Sequence, residues 1–276
     1  MRARLQLFRL RSLIWMTRVL TRGLALIGLR ETVARKRRAR VRRRRAAAEA
    51  RGDFSRSRPA MHGMDVKLDA IIDRDAGFFI EAGANDGYTQ SNTYWLERSR
   101  GWRGLLVEPM PELAEEARLS RPGATVMQCA LASPESDGEE IRMRFGGLMS
   151  SVASVSDEQW AKLGTAMGWQ EPYELDVQAR TLSSLLEQIG APEVDLLSLD
   201  VEGFEGPVLA GLDLQRHAPR YLLIEVHDRE RDLPPIEAVL EGRYSAHDWL
   251  SPLDLLMVRA DVAQSSGDAC EAGEDA

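Results

Sequence analysis

The chain has 276 residues, 44% of them hydrophobic and 29% charged, and a formal net charge of −7. That is enough for one well-buried domain and too little for two large ones, and the balance excludes fibrous and wholly disordered classes. Its two cysteines, Cys129 and Cys270, form neither a disulfide framework nor a zinc spacing. A reducing cytoplasm is therefore the default, and Cys129, inside an apolar run, reads as core packing.

The net charge hides two unlike parts. Residues 1–45 carry sixteen Arg or Lys and one acid, Glu31, whereas the rest carries 20 bases and 42 acids. Residues 1–30 read as helical with an imperfect amphipathic pattern: Arg4, Arg11, Arg18 and Arg22 share a face, while Arg2 and Arg9 fall nearly opposite. They hold no run of about 20 apolar residues to span a bilayer, and no apolar core with a small-residue cleavage site. The run "RKRRARVRRRR" (Arg35 to Arg45) repels itself and needs solvent or a polyanion. Three readings compete: an anchor on anionic lipid using Phe8 and Trp15, a nucleic-acid patch (the least favoured), or an extension ahead of a true start at Met61 or Met64. The stretch "AAAEARGDFSRSRPAMHG" is small and polar and reads as a linker. The expected organisation is an arm and linker over 1–58, a domain over 59–262 and an acidic flexible tail over 263–276.

From about Asp65 the pattern changes. "GFFIEAG" is a short apolar run ending in Gly, a buried strand; "SNTYWLERSR" offers Ser91 as an N-cap and then a helix. "GLLVEP" is a second strand, "PELAEEARLS" a helix with Pro at its start, and "ATVMQCALA" a third strand. "EIRMRF" and "YELDVQAR" read as strands around a variable middle whose Trp160 and Trp169 either stack on an acceptor or pack locally. "TLSSLLEQIG" is a helix closed by Gly190. "VDLLSLDVEG" is a fourth core strand, "FEGPVLAGL" a short helix, "RYLLIEVHD" a fifth strand, "PPIEAVLEG" a helix and "LDLLMVRA" a last strand. Strands alternating with helices predict an α/β fold with a mostly parallel sheet covered on both faces.

Ligands of such a sheet bind beyond the carboxyl ends of its strands. The first strand ends in Glu81, Gly83, Asn85 and Gly87, the second in Glu108, and the third near Cys129, Ala130 and Leu131. The fourth ends in Asp200 and Glu202, and the fifth in Glu225 and His227. This set suits a nucleoside better than a phosphate. Glycines let backbone approach a ligand, an acid can accept two ribose hydroxyls, and "EAGANDGYTQSN" contains no base for a polyphosphate. The spacing Gly83-x-x-x-Gly87 is not the dinucleotide pattern, which counts against a nicotinamide-dependent oxidoreductase, and there is no GK[ST] loop.

The stretches "FIEAGANDGYTQSNTYWLERSRGWRGLLVEP" and "TLSSLLEQIGAPEVDLLSLDVEGFEGPVLAGL" resemble the FkbM-type S-adenosylmethionine-dependent methyltransferases over roughly Phe78 to Arg259. The resemblance implies a class I methyltransferase (Rossmann-like) fold with seven strands, the last antiparallel. It implies S-adenosylmethionine as cofactor, with Glu81, Gly83, Asn85 and Gly87 along its amino-acid and ribose parts. Glu108 would hold the ribose hydroxyls, Ala130 and Leu131 would lie beside the adenine, and Asp200 would face the methyl-transfer site. Ser198 stands where many members carry a lysine.

The implied reaction is an in-line displacement, in which an acceptor hydroxyl on a saccharide, glycolipid or small metabolite attacks the methyl group and loses its proton. Asp200, Glu202 and His227 are the candidates for that base. Against these roles stand bland ones: His227 bonded to a loop, and Glu202 and Glu205 capping the short helix. Asp200, Glu225 and His227 also make a donor set for Mg²⁺ or Mn²⁺, but the spacing does not demand a metal and none is expected. The runner-up is a methyltransferase-like binding protein without turnover.

Overall fold

The computed structural model describes residues 36–146, 149–152 and 173–264. The expected helix over 1–30, Trp160, Trp169 and most of the tail lie outside these residues. The chain divides into two units, Met1–Arg56 and Ser57–Ala276. The first contains a helix, α1 (36–49), whose basic side chains are mostly exposed. It runs through Ala46, Ala47 and Ala48, which the sequence reading gave to a linker. Alanine is the best helix former, so small residues alone do not end a helix.

In the second unit, α2 (Met64–Ile72) precedes the first strand. The main sheet contains β1 (Phe78–Ala82), β2 (Arg103–Val107) and β3 (Ala124–Met127). A second sheet contains β4 (Ala130–Leu131), β5 (Glu140–Gly146), β6 (Met149–Val152) and β7 (Tyr173–Arg180). The main sheet then resumes with β8 (Leu196–Leu199), β9 (Tyr221–Glu225), β10 (Tyr244–Trp249) and β11 (Asp254–Arg259). Its strand order is β10-β11-β9-β8-β1-β2-β3. Only β11 runs against the others. This is the expected seven-stranded α/β architecture with the last strand antiparallel. The second sheet has the order β4-β7-β5-β6.

The expected third strand "ATVMQCALA" is corrected to two short strands in different sheets, β3 on β2 and β4 on β7. Gln128 and Cys129, between them, pair with neither, and the chain changes sheets there. Cys129 is buried, and burial pushes its thiol up to about 12, as suits core packing. Strand β10 was not expected. It is the sheet edge, and its central residues are exposed, so it carries no apolar alternation to read.

Helices α3 (Tyr94–Arg100), α4 (Pro111–Ser120), α5 (Leu182–Ile189), α6 (Glu205–Ala210) and α7 (Arg229–Leu240) connect the strands. Ser91 Oγ accepts the Tyr94 amide at 3.0 Å, but the expected Ser91 cap is corrected to Thr93, since the helix begins at Tyr94. Helix α7 starts five residues before Pro234, because Asp228 accepts the amides of Glu230 and Arg231.

The two faces of the main sheet bury different rows. Ile80, Leu105, Leu197 and Leu222 align across one face. On the other, the aligned row is Leu106, Glu81, Ser198, Leu223 and Leu256. Two polar side chains therefore sit at the centre of an otherwise apolar row, and the site is built around them.

Candidate active site

Glu81 is 5% exposed, and protein donors surround its carboxylate. One oxygen accepts Ser91 Oγ at 2.8 Å, Thr93 Oγ1 at 2.6 Å and Arg121 Nη1 at 3.1 Å. The other accepts the Asn92 amide at 2.8 Å. Arg121, fully buried just after α4, also donates to the Gly87 carbonyl, Ser91, Thr93 and Glu97, and lies over the Phe79 ring. Glu97 in turn accepts the Gly123 amide. A buried guanidinium is tolerated only when paired and fully hydrogen-bonded, and here every nitrogen has an acceptor. Sequence reasoning missed Arg121 and Glu97. The network pins the loop after β1 to α3 and α4.

The loop itself is shaped by left-handed residues. Gly83 has φ +82°, and a Cβ there would lie 1.9 Å from the Asp200 carbonyl oxygen. Asn85, at φ 50°, donates its amide to Glu108 at 2.8 Å, while its own side chain accepts the Asp86 amide. Asp86 accepts the amides of Tyr88 and Thr89, closing the turn. At Gly87, φ +73°, a Cβ would meet Arg121 and Ala117 at about 3 Å.

One step past the ladder, the registers bring Glu108, Gly83, Asp200, Glu225 and Asp254 side by side. The carboxyl edge of the sheet is thus an acidic row with a glycine at its centre. Glu108 is 4% exposed, and its oxygens accept the amides of Asn85 and Met110. Each oxygen keeps a second lone pair. Burial pushes Glu108 up to about 7, against the pull of the two amides.

Asp200 is exposed to solvent at the carboxyl edge of the sheet, although protein packs closely around its carboxylate. Burial raises its pKa, while a hydrogen bond with Glu225 opposes the rise. Glu225 is driven far above the usual carboxylate range by burial first and by the Asp200 charge second. Glu202, in a left-handed conformation at φ 57°, is pushed up to about 7 by burial and by the charges of Asp200 and Glu205. His227 Nε2 lies 3.8 Å from Glu202, and its Nδ1 lies 3.6 Å from Glu225. Glu205 accepts the amides of Val201 and Gly203, which is its helix-start role.

The structure therefore brings Asp200, Glu202 and His227 together, with Glu225 as a fourth member. Glu81 is turned inward, one layer below the acidic row. Ala130 and Leu131 are buried in β4, Leu131 in the larger core cluster and Ala130 against Met143 and Val177. Asn92 donates to Ser198, so the serine serves the layer below the acidic row.

Residues 81–249 match the family described as the methyltransferase FkbM domain. Among solved structures, the chain is similar to an FkbM methyltransferase from Methylobacillus flagellatus KT, at 16% identity and TM-score 0.43, over 67% of this chain and 44% of that one. It thus spans less than half the length of that protein. It is also similar to a TehB-like SAM-dependent methyltransferase from Corynebacterium glutamicum, at 15% identity and TM-score 0.40, over 81% and 98% of the two chains. An O-methyltransferase from Bacillus cereus in complex with SAH matches at 15% identity and TM-score 0.39, over 79% and 89%. No curated protein matches the chain. The family match starts at Glu81 in β1 and runs to the end of β10, over more than half of the chain, so the chain belongs to the methyltransferase FkbM domain family.

Proposed function

We propose that this protein is an O-methyltransferase acting on a hydroxyl of a saccharide, glycolipid or small metabolite. The observation that carries this reading is the acidic row with Gly83 at its centre. Such an edge favours a nucleoside bearing a positive sulfur and repels a polyphosphate. When bound, S-adenosylmethionine supplies an electrophilic methyl group. Glu108 accepts the ribose hydroxyls on its two remaining lone pairs. Gly83, Asn85 and Gly87 bring backbone close to the amino-acid and ribose parts. Glu81 acts from beneath, holding that backbone through Ser91, Asn92 and Arg121. Ala130 and Leu131 stand on the adenine side.

Asp200 faces the transfer point, and the cluster it forms with Glu202 and His227 orients the acceptor hydroxyl and takes its proton as the new O–C bond forms and the S–C bond breaks. The test is calorimetric titration with S-adenosylhomocysteine and, separately, with NAD. Binding of S-adenosylhomocysteine alone supports the reading. Failure to bind it sinks the reading, and binding of NAD instead points to an oxidoreductase. Methyl transfer from labelled cofactor to a panel of hydroxylated acceptors separates an active enzyme from a silent binding protein.

We also propose that the basic segment through residue 45 docks on an anionic membrane surface, leaving the enzyme cytoplasmic and peripheral at the inner face. In support, the basic side chains of α1 are mostly exposed, and no helix among the described residues is long and apolar enough to cross a membrane. Deleting residues 1–58 should abolish co-sedimentation with vesicles rich in anionic lipid; unchanged co-sedimentation removes the idea.

A further inference from the structure

The parallel register of β8 and β9 pairs Leu199 with Ile224. Continued past the ladder, it sets Asp200 beside Glu225 and Glu202 beside His227. Val226, between the two, is buried, so Glu225 and His227 share the opposite face. One ligand atom from each of Glu202, Glu225 and His227 lies within 4.8 Å of the others. Metal–ligand bonds of about 2.1 Å put neighbouring ligands about 3 Å apart and opposite ones about 4 Å apart, so the cluster needs only a small contraction to close on one ion.

Two further details point to a ligand rather than to packing. Glu225 hydrogen-bonds Asp200, but its Oε2 is shielded from solvent and accepts no hydrogen bond from a donor group, although it faces the imidazole at 3.6 Å. Glu202 reaches the cluster from a left-handed backbone that a glutamate adopts at a cost. His227 is 39% exposed and Glu202 22% exposed, which leaves the remaining coordination positions toward solvent.

We propose that Glu202, Glu225 and His227 bind one divalent cation of the Mn²⁺ and Mg²⁺ class at the acceptor end of the site. Two carboxylates and one imidazole are a donor set for such an ion. The inference rests on the methyltransferase reading for its purpose. An acceptor hydroxyl on an open position would lose its proton more readily, with Asp200 beside it to receive that proton. His227 would then serve as a ligand, and Asp200 would receive the acceptor proton.

The test uses the full chain. Mn²⁺ is titrated by calorimetry and by electron paramagnetic resonance, with and without S-adenosylhomocysteine, on the wild type, Glu202→Gln and His227→Ala. The expected result is one saturable Mn²⁺ site per chain, weakened at least tenfold by either substitution, while affinity for S-adenosylhomocysteine stays within threefold and reports an intact fold. Absence of a saturable Mn²⁺ site, or equal binding by both variants, overturns the inference. Mn²⁺ binding without S-adenosylhomocysteine binding upholds the ion site and overturns the methyltransferase reading, so the two failures are distinct.

Discussion

Replacing Glu108 by alanine separates its two duties. The substitution orphans the Asn85 and Met110 amides, each at a cost of about 1–3 kcal/mol. It also removes a carboxylate whose pKa stands at about 7 instead of 4.5. By linkage, that raised value means the folded protein holds the proton more tightly. The stabilising contribution is complete below the unfolded value and lost as pH rises through about 7, a swing of about 3 kcal/mol. At pH 8 the two effects largely offset, and the variant should lose roughly 0–3 kcal/mol. The cofactor loses two ribose hydrogen bonds to a charged acceptor, about 1.5–3 kcal/mol each. Affinity for S-adenosylhomocysteine should therefore fall by about 100-fold or more. Calorimetry at pH 8, with urea unfolding at pH 5 and pH 8, checks both parts. The stability gap between wild type and variant should narrow by about 2–3 kcal/mol from pH 5 to pH 8. A folded variant that binds S-adenosylhomocysteine within threefold of wild type refutes the ribose assignment. A gap independent of pH refutes the account of burial.

Other substitutions probe the frame. Gly83→Ala should prevent folding or abolish cofactor binding, because its methyl group would overlap the Asp200 carbonyl; Gly138→Ala, also at positive φ but in open space, should cost only about 1–2 kcal/mol in urea unfolding. Arg121→Leu leaves Glu81 and Glu97 buried without their partner and should cost about 3–5 kcal/mol, read from the same curves. In a Cys270→Ser background the native protein should not react with a thiol reagent at pH 8, whereas the urea-unfolded chain should react at once, since burial holds Cys129 up to about 12.

The core strands were legible because each carries its own apolar run between turn residues, and the loop after β1 because its acid, glycines and asparagine are contiguous. What escaped was long-range. Arg121 follows an ordinary amphipathic helix, and nothing local marks it. Its partners Glu81, Gly87, Ser91, Thr93 and Glu97 lie 24 to 40 positions away and meet it only once the sheet is formed. Glu225 was seen only as a possible ligand, because its isolation depends on the register of two neighbouring strands. Helix α2 was missed in the shadow of a linker, and β10 because an exposed edge strand shows no alternation. The break between β3 and β4 lies inside a continuous apolar run, where composition is silent about a change of partner.

The close approach of Gly83 to the Asp200 carbonyl has a kinetic consequence. With no side chain between them, a shift of this loop on cofactor binding would be passed directly to the backbone that presents Asp200. On the proposed reading, the acceptor side would then reach its working geometry only after the cofactor is bound. Steady-state kinetics should then show a compulsory order, the methyl donor entering first and the demethylated product leaving last. S-adenosylhomocysteine should compete with the donor and not with the acceptor.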